Sequence, residues 1–468
     1  MTLFFETNKK KGRTWSFEND DDFEKVVSDA TYGELLTQDT FSSDADVDPI
    51  DTFSGRNKTE RNTGEIFNRK QKELPVLSIL DVSAKIYACL TGDKVCTDFG
   101  RDLTTEVALK TIPIPEKSKA LVLNAGNGSM GILLAARNPM ASIYLYDDDE
   151  SNTRLIERNL DANMDTMETL PICNAFCVAG NTLGSEYDVV ILRPPSHVGL
   201  DAIRDYILTA YASLKIGGKL YVVTHNKSGA PRHAKIVSEV FGSEQFSHIF
   251  TGRGGYRVFA AERIVSDQDL VQSLSAPQVP VSIFGLESNY QTEHGLFSKN
   301  NLDLGSRYLL ETVLPIFKNN DDTPKKILDA GCGWGVIGCT AAQYFPAAQV
   351  DLIDSSRRAI DVAEQNVQKL GLSERVQVLN AGNIKEDIAG KYDLILSNPP
   401  YHLDIPVLLD FFIGIRSKLE NKGKCFCVIE QSFQTKFIGI FERVFGRFTI
   451  YSTTTVDNIS YTIIQLRK

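Results

Sequence analysis

K-I-L-D-A-G-C-G-W-G, residues 326–335, reads as a short buried strand running into a turn with glycine at every second position. Downstream, V-D-L-I-D (350–354) is a second strand ending in an acid, and Y-D-L-I-L-S-N-P-P (392–400) is a third ending in a proline turn. The same series occurs earlier in the chain: K-A-L-V-L-N (119–124) before a glycine-bearing turn, I-Y-L-Y-D (143–147), and Y-D-V-V-I-L-R-P-P (187–195). A helical stretch around 201–215 and the strand L-Y-V-V-T (220–224) complete the earlier set. Strands alternating with helices imply a parallel sheet covered on both faces, an α/β fold. The pairs Asn124/Asp329, Gly126/Gly331, Gly128/Gly333, Tyr187/Tyr392, Asp188/Asp393, Pro194/Pro399, Pro195/Pro400 and His197/His402 all lie 205 residues apart. V-A-G-N (178–181) answers N-A-G-N (380–383). So many matches at one offset mark an internal duplication. The expected layout is an extension over 1–73, a first copy over 74–265, a linker over 266–281 whose prolines interrupt regular structure, and a second copy over 282–468.

The chain has 468 residues, 42% apolar and 24% charged, enough for two cores. No apolar run approaches the roughly 18 residues of a membrane span. The start, M-T-L-F-F-E-T-N-K-K-K, reverses the order of a secretory signal, so a cytoplasmic protein is expected. The net charge of −10 is uneven: residues 1–54 hold five basic and thirteen acidic side chains, the rest 45 and 47. The acidity therefore belongs mainly to the leading segment, which reads as a solvated, largely disordered tail with one short amphipathic helix considered over 23–35. A basic stretch over 56–72 follows it. The body is near neutral, so contacts to phosphate must come from local patches. Eight cysteines form no C-x-x-C pair and no zinc-finger spacing with the six histidines, which predicts reduced thiols and no metal.

The second copy carries the chemistry. Gly331, Gly333 and Gly335 permit the tight turn after Asp329 and a close approach of backbone to a ligand at the carboxyl edge of the sheet. Their spacing differs from the dinucleotide pattern, which lowers the expectation of a pyrophosphate. Asp354 ends the next strand, where a carboxylate can accept from both ribose hydroxyls. Glycine loop and acid together fit a nucleoside cofactor. Asn398, Pro399, Pro400 and Tyr401 follow an apolar strand at the same edge. The Asn398 side-chain carbonyl and a backbone carbonyl beside proline can accept both hydrogens of a planar exocyclic amine. That turns the nitrogen lone pair toward an electrophile, with Tyr401 expected to stack on the flat substrate.

These residues resemble the S-adenosylmethionine-dependent class I methyltransferases acting on amino nitrogens. The sequence is more closely similar to the bacterial rRNA guanine-N2 methyltransferases built from two tandem Rossmann-like domains. G-L-F-S-K-N-N-L-D-L-G-S-R-Y-L-L (295–310), A-G-N-I (381–384) and N-P-P-Y-H (398–402) carry the likeness, which covers 75–468 in organisation. The resemblance implies S-adenosyl-L-methionine as cofactor and ribosomal RNA or a ribosomal subunit as partner, for a monomer that touches neither membrane nor metal. It implies that Asp329, Gly331, Gly333 and Gly335 cradle the methionine part, Asp354 the ribose and Asn383 the adenine. Phe297 to Arg307 would line the pocket's lid. Trp334 is bulkier than usual in such a loop, and Tyr401 stands where the family often has Phe. In the first copy, Asn124, Met130, Arg193 and Ser196 stand against Asp329, Gly335, Asn398 and Tyr401, so that copy is expected to be noncatalytic. Its expected work is to support its partner's folding and hold RNA. Lys227, Arg232, Arg253 and Arg257, in two glycine-rich loops, and His402 are RNA-binding candidates. Transfer to adenine N6 or to a protein glutamine, and a noncatalytic RNA-binding assembly protein, remain the alternatives.

Overall fold

The structure, a computed structural model, describes residues 2–6, 12–16, 103–164, 173–176, 183–195, 198–252, 254–265, 277–317, 323–401, 403 and 405–468. The helix considered over 23–35, the basic stretch 56–72, the start of the first copy near 74, Arg253 and His402 lie outside the described residues. Within the leading unit, Met1–Arg101, β1 (Thr2–Glu6) pairs antiparallel with β2 (Gly12–Ser16).

Both copies lie in one unit, Asp102–Lys468. The first runs α1 (Leu103–Thr111), β3 (Lys119–Leu123), α2 (Ser129–Arg137), β4 (Ser142–Tyr146), α3 (Glu150–Met164), β5 (Cys173–Phe176), β6 (Tyr187–Leu192), α4 (Leu200–Ser213), β7 (Leu214–His225), α5 (Ala230–Phe241), β8 (Phe246–Thr251) and β9 (Tyr256–Glu262). Its sheet has the order β5-β4-β3-β6-β7-β9-β8. A hairpin of β10 (Gln278–Ile283) and β11 (Leu286–Gln291) introduces the second copy. There follow α6 (Leu304–Val313), β12 (Lys326–Ala330), α7 (Val336–Tyr344), β13 (Gln349–Asp354), α8 (Arg357–Lys369), β14 (Val376–Asn380), α9 (Ile384–Asp387), β15 (Tyr392–Ser397), α10 (Ile405–Lys418), β16 (Leu419–Glu430), α11 (Gln434–Phe445), β17 (Phe448–Val456) and β18 (Ile459–Leu466). The second sheet, β14-β13-β12-β15-β16-β18-β17, repeats the first.

The central strands are continuous apolar runs because both faces are covered. Ile327 faces one core with Leu394 and Leu396, while Leu328 and Ala330 face the other with Ile395. In each sheet the strand order reverses between the first and fourth strands of the copy, β3/β6 and β12/β15. Such a switch point opens a crevice at the strands' carboxyl ends. Pro280 lies inside β10, opposite Asn289, within the stretch read as a linker. Val279, Val281 and Ile283 are buried while Pro280 is exposed, and a two-stranded hairpin leaves proline an unpaired edge.

The strand registers correct the alignment of the two glycine loops. Lys119 pairs with Ser142 and Lys326 with Gln349, so over this region the copies superpose at the 207 residues separating Lys119 from Lys326. Gly128 and Gly335 are the left-handed residues that cap α2 and α7, and Gly126 and Gly333 donate to Asp147 and Asp354. The counterpart of Asp329 is therefore Val122, that of Gly331 is Asn124, and Met130 corresponds to Ile337. The 205-residue spacing holds farther on, where Ala120 pairs with Val189 and Ile327 with Leu394.

The copies meet through their equivalent loops. Asp149 and Ser356 form an antiparallel bridge. Glu150 N–H donates to the Ser355 carbonyl (2.8 Å) and Arg357 N–H to the Asp148 carbonyl (2.6 Å). Each of these residues has its counterpart on the other side, so the contact has pseudo-two-fold symmetry, as an isologous interface does.

Candidate active site

At the switch point of the second copy, the turn after β12 faces the turn after β15. Gly331 takes φ 75°, and a Cβ there would lie 4.0 Å from the Asn398 carbonyl oxygen. Gly333 takes φ 54° with open space beside it. These two glycines leave bare backbone beside the crevice. Gly335 does something else: a Cβ on it would come within 2.9 Å of Leu352, so it lets α7 pack on β13 and is turned away from the crevice.

Two carboxylates frame the turn. Asp354 accepts from Gly333 N–H and from Ser356 N–H, both at 2.9 Å, and burial raises its pKa above the usual carboxylate range. Asp329 is fully buried; its Oδ2 accepts from Gly338 N–H at 2.8 Å. Burial, aided by Asp354 and opposed by the Gly338 bond, pushes its pKa up to about 7. The Asp329 Oδ1 has no hydrogen-bond partner. A buried acceptor without a donor is costly in a finished protein, so this atom calls for a cationic or N–H group from a ligand.

Across the crevice, Asn398 is half-buried and fully oriented. Its Nδ2 donates to Asp303 Oδ2 and to Ser306 Oγ, each at 2.9 Å. A carboxylate only accepts, so the amide nitrogen is obliged to face Asp303 and the amide oxygen is turned the other way. That oxygen accepts from the Tyr401 hydroxyl at 2.7 Å. The same hydroxyl also lies 3.0 Å from the Val428 carbonyl and has one proton, leaving Asn398 Oδ1 a lone pair to offer elsewhere. Asp303 is also the N-cap of α6, accepting from Ser306 N–H at 2.7 Å. The stretch 297–307 was expected only to line a lid, and neither the capping by Asp303 nor its contact to Asn398 was foreseen.

Besides Gly335, two expected assignments change. The Tyr401 ring stacks on Phe433, centroids 5.0 Å apart and planes 8° from parallel, so that face is unavailable to a substrate. Arg307 donates to the Ser282 carbonyl and to Glu311, both at 3.1 Å. A helix turns about 100° per residue, so the position after Ser306 is carried round toward the β10–β11 hairpin and away from the crevice. Asn383, expected at the adenine, caps α9, its Oδ1 accepting from the Lys385 and Glu386 N–H groups. Phe297 stays at the lip, 61% exposed, while its carbonyl accepts from Trp334 Nε1 at 3.2 Å.

In the first copy the crevice is bridged. Asn124, at φ 55°, sends its Nδ2 to the Arg193 carbonyl at 2.8 Å, across the gap that Gly331 leaves open. Asp147 repeats Asp354's bond to the glycine turn, accepting from Gly126 at 2.7 Å, and is itself pushed up to about 7 by burial. The two basic loops do come together: Asn226 N–H donates to the Gly255 carbonyl at 2.9 Å, and His225 lies against Gly254 and Tyr256. Lys227 and Arg232 are exposed there, while Arg257 is half-buried and donates to its neighbour's carbonyl. Cys332, Cys339, Cys425 and Cys427 are buried free thiols, and no group of potential metal ligands occurs among the described residues. None of the described helices is long and apolar enough to cross a membrane.

A seven-stranded sheet of this order, with a glycine turn after its first strand, an acid after its second and Asn-Pro-Pro-Tyr after its fourth, defines a Rossmann-like methyltransferase, and the first copy repeats its sheet. The chain belongs to the methyltransferase small domain family, which matches residues 91–260 and 287–463. It is similar to the ribosomal RNA small subunit methyltransferase C of Citrobacter koseri, 28% identical over 44% of this chain and 54% of that one. The Erwinia tasmaniensis protein of the same name is 31% identical over 42% and 53%. The chain thus spans about half the length of the curated relatives it matches. A structure of the 16S rRNA N2 methyltransferase of T. thermophilus, in complex with AdoMet and guanosine, shares the fold. Its TM-score is 0.63 at 23% identity, over 79% of this chain and 92% of that one.

Proposed function

We propose that the chain is an S-adenosylmethionine-dependent methyltransferase whose second copy methylates the exocyclic N2 amine of a guanine in ribosomal RNA. The observation that carries this reading is Asn398, whose backbone carbonyl lies beside Gly331 and whose side-chain amide has its N–H groups committed to Asp303 and Ser306, leaving Oδ1 as the acceptor it can offer. An amine is the group such a site grips. The unpartnered Asp329 Oδ1 supports a ligand with an ammonium group, and Asp354 at the end of β13 supports a ribose.

When bound, S-adenosylmethionine supplies a methyl group on a sulfonium centre. The chain's residues then do the positioning. Gly331 and Gly333 admit the methionine part along bare backbone, and Asp329 faces its ammonium. Asn398 Oδ1 and a carbonyl of the proline turn hold the two amine hydrogens. So held, the guanine nitrogen would offer a lone pair released from ring conjugation to the methyl that the cofactor would supply, and the proton shed by the methylated amine would pass to solvent. As the amine arrives, the Tyr401 hydroxyl retains the Val428 carbonyl as its acceptor. Alignment at contact distance accounts for most of the acceleration such a transfer needs. The amine must be outside a stacked helix to enter, so an unpaired or extruded guanine is the substrate. Partners such as a ribosomal subunit and a cytoplasmic location follow from this reading.

The test is transfer of labelled methyl from S-adenosylmethionine to rRNA from a strain lacking the protein, naked and in subunits, with nucleoside analysis of the product. N2-methylguanosine is the expected product. Label on adenine N6 or in protein would move the acceptor, and no transfer to any rRNA substrate would overturn the reading.

A further inference from the structure

We propose that the first copy sets the cofactor affinity of the second by gripping the segment 293–299 that lies over the glycine loop. This rests on the reading of that loop as the cofactor site. One side of the segment is tied to the loop itself, through Trp334 Nε1 and the Phe297 carbonyl. The other side lies against α4 of the first copy. Lys299 Nζ pairs with Asp201, and stands 3.0 Å from His294 Nδ1. Gly295, at φ 94°, comes so near α4 that a Cβ would sit 3.3 Å from that of Ala202.

Arg358 locks this contact from beneath. Its guanidinium lies 2.5 Å from Asp205 on α4, 2.7 Å from Glu293 and 3.5 Å from Asp148, and donates to the His294 carbonyl at 3.1 Å. Its side chain is only 11% exposed, and Tyr206 of α4 lies beneath it. A buried guanidinium shared by carboxylates from both copies and by the segment's own backbone is a fixed point rather than a solvated contact. Arg358 is the second residue of α8, the helix that follows Asp354, so one side chain connects the acid's loop, the segment and α4. The Ser151 hydroxyl donates to the Gly382 carbonyl at 3.1 Å, and Arg154 pairs with Asp387 at 2.6 Å, holding the neighbouring loop from the same side. Asp201, Asp205, Asp148 and Arg358 are thus positioning residues, acting on cofactor through the segment and not by touching it.

Removing Arg358 would strand buried carboxylates, so the test uses the Asp201–Lys299 pair, in which Asp201 is 62% exposed and Lys299 19%. The background is the full chain carrying Trp15→Phe, which leaves Trp334 the sole tryptophan and a fluorescent report on the segment. S-adenosylhomocysteine is titrated calorimetrically into this parent, into Asp201→Lys, into Lys299→Asp and into the combined swap. Each single change is expected to weaken binding by about fivefold or more and to shift Trp334 emission. The swap is expected to restore both. For Asp201→Lys, the cofactor KM should rise while kcat at saturating cofactor holds. Single variants that bind like the parent, or a swap that restores nothing, would overturn the proposal while leaving the cofactor reading intact. A parent that binds no S-adenosylhomocysteine would overturn the cofactor reading, and this proposal with it.

Discussion

Replacing Asp303 tests the amide orientation on which the proposed chemistry depends. Asp303 Oδ2 makes two bonds, one to Ser306 N–H as the cap of α6 and one to Asn398 Nδ2. Serine retains the capping ability but is neutral and too short to hold the amide, whereas alanine loses both. A hydrogen bond to a charged group contributes about 1.5–3 kcal/mol, against about 0.5–1.5 for a neutral one. Without the carboxylate the amide can turn over and present N–H to the incoming amine, and what remains is the weaker Ser306 contact. A loss of about 1.4 kcal/mol in the productive arrangement lowers kcat by about tenfold. Asp303→Ser is therefore expected to transfer methyl about tenfold more slowly in single turnover, with cofactor affinity and unfolding midpoint close to wild type. Asp303→Ala should show the same kinetic loss plus about 1 kcal/mol of destabilisation from the missing cap. The assay is tritium transfer to rRNA at saturating cofactor, paired with calorimetric titration of S-adenosylhomocysteine. If Asp303→Ser transferred methyl at the wild-type rate, or lost cofactor affinity in proportion to rate, the orienting role would be wrong.

Further outcomes follow from the same geometry. Asn398→Ala should abolish detectable transfer while leaving S-adenosylhomocysteine binding within a few-fold; parallel loss of both would reassign the residue to the cofactor. Asp354→Ala should weaken cofactor binding by about tenfold or more, since both its oxygens organise the glycine turn and its loop. Unchanged affinity would refute the ribose assignment. Asp329, pushed up to about 7, must be ionised to face an ammonium, so cofactor affinity is expected to tighten about tenfold between about pH 6 and pH 8. Stability runs the opposite way. The folded carboxyl holds a proton that the unfolded one, at 3.8, releases, so Asp329's contribution declines as pH rises from about 4 to about 7 and is level above. Asp329→Asn should flatten both profiles, measured by calorimetry and by thermal unfolding across pH; profiles identical to wild type would remove Asp329 from the site.

Much of the fold was legible because the buried strands are unbroken apolar runs that end in glycine, acid or proline, and those endings fall at the crevice. The duplication was legible for the same reason. Its register was not, because a loop with glycine at every second position matches its copy equally well when slid by two residues. Only the ladders, Lys119 with Ser142 and Lys326 with Gln349, fix the slide. That correction changes which residues differ between the copies. Val122 replaces the buried carboxylate, and Asn124 fills the place of a bare glycine, while the acid Asp147 survives. The site residues divide along the same physical line. Asp354 and Gly333 act on neighbours a short loop away, so pattern sufficed. Asn398 takes its orientation from a residue 95 positions earlier, and Arg358 takes its partners from α4 of the other copy, 153 positions away. A linear pattern encodes which groups are present and which face of an element they occupy. It does not encode which acceptor a side chain meets once two sheets are docked. Tyr401 and Arg307 were misread for this reason: an aromatic ring finds Phe433 before it finds a substrate, and a helix carries each successive residue to a new side. The residues that would orient the reacting groups in the proposed reaction are therefore those whose sequence signal is capping or plain charge, and it is the fold that brings them together.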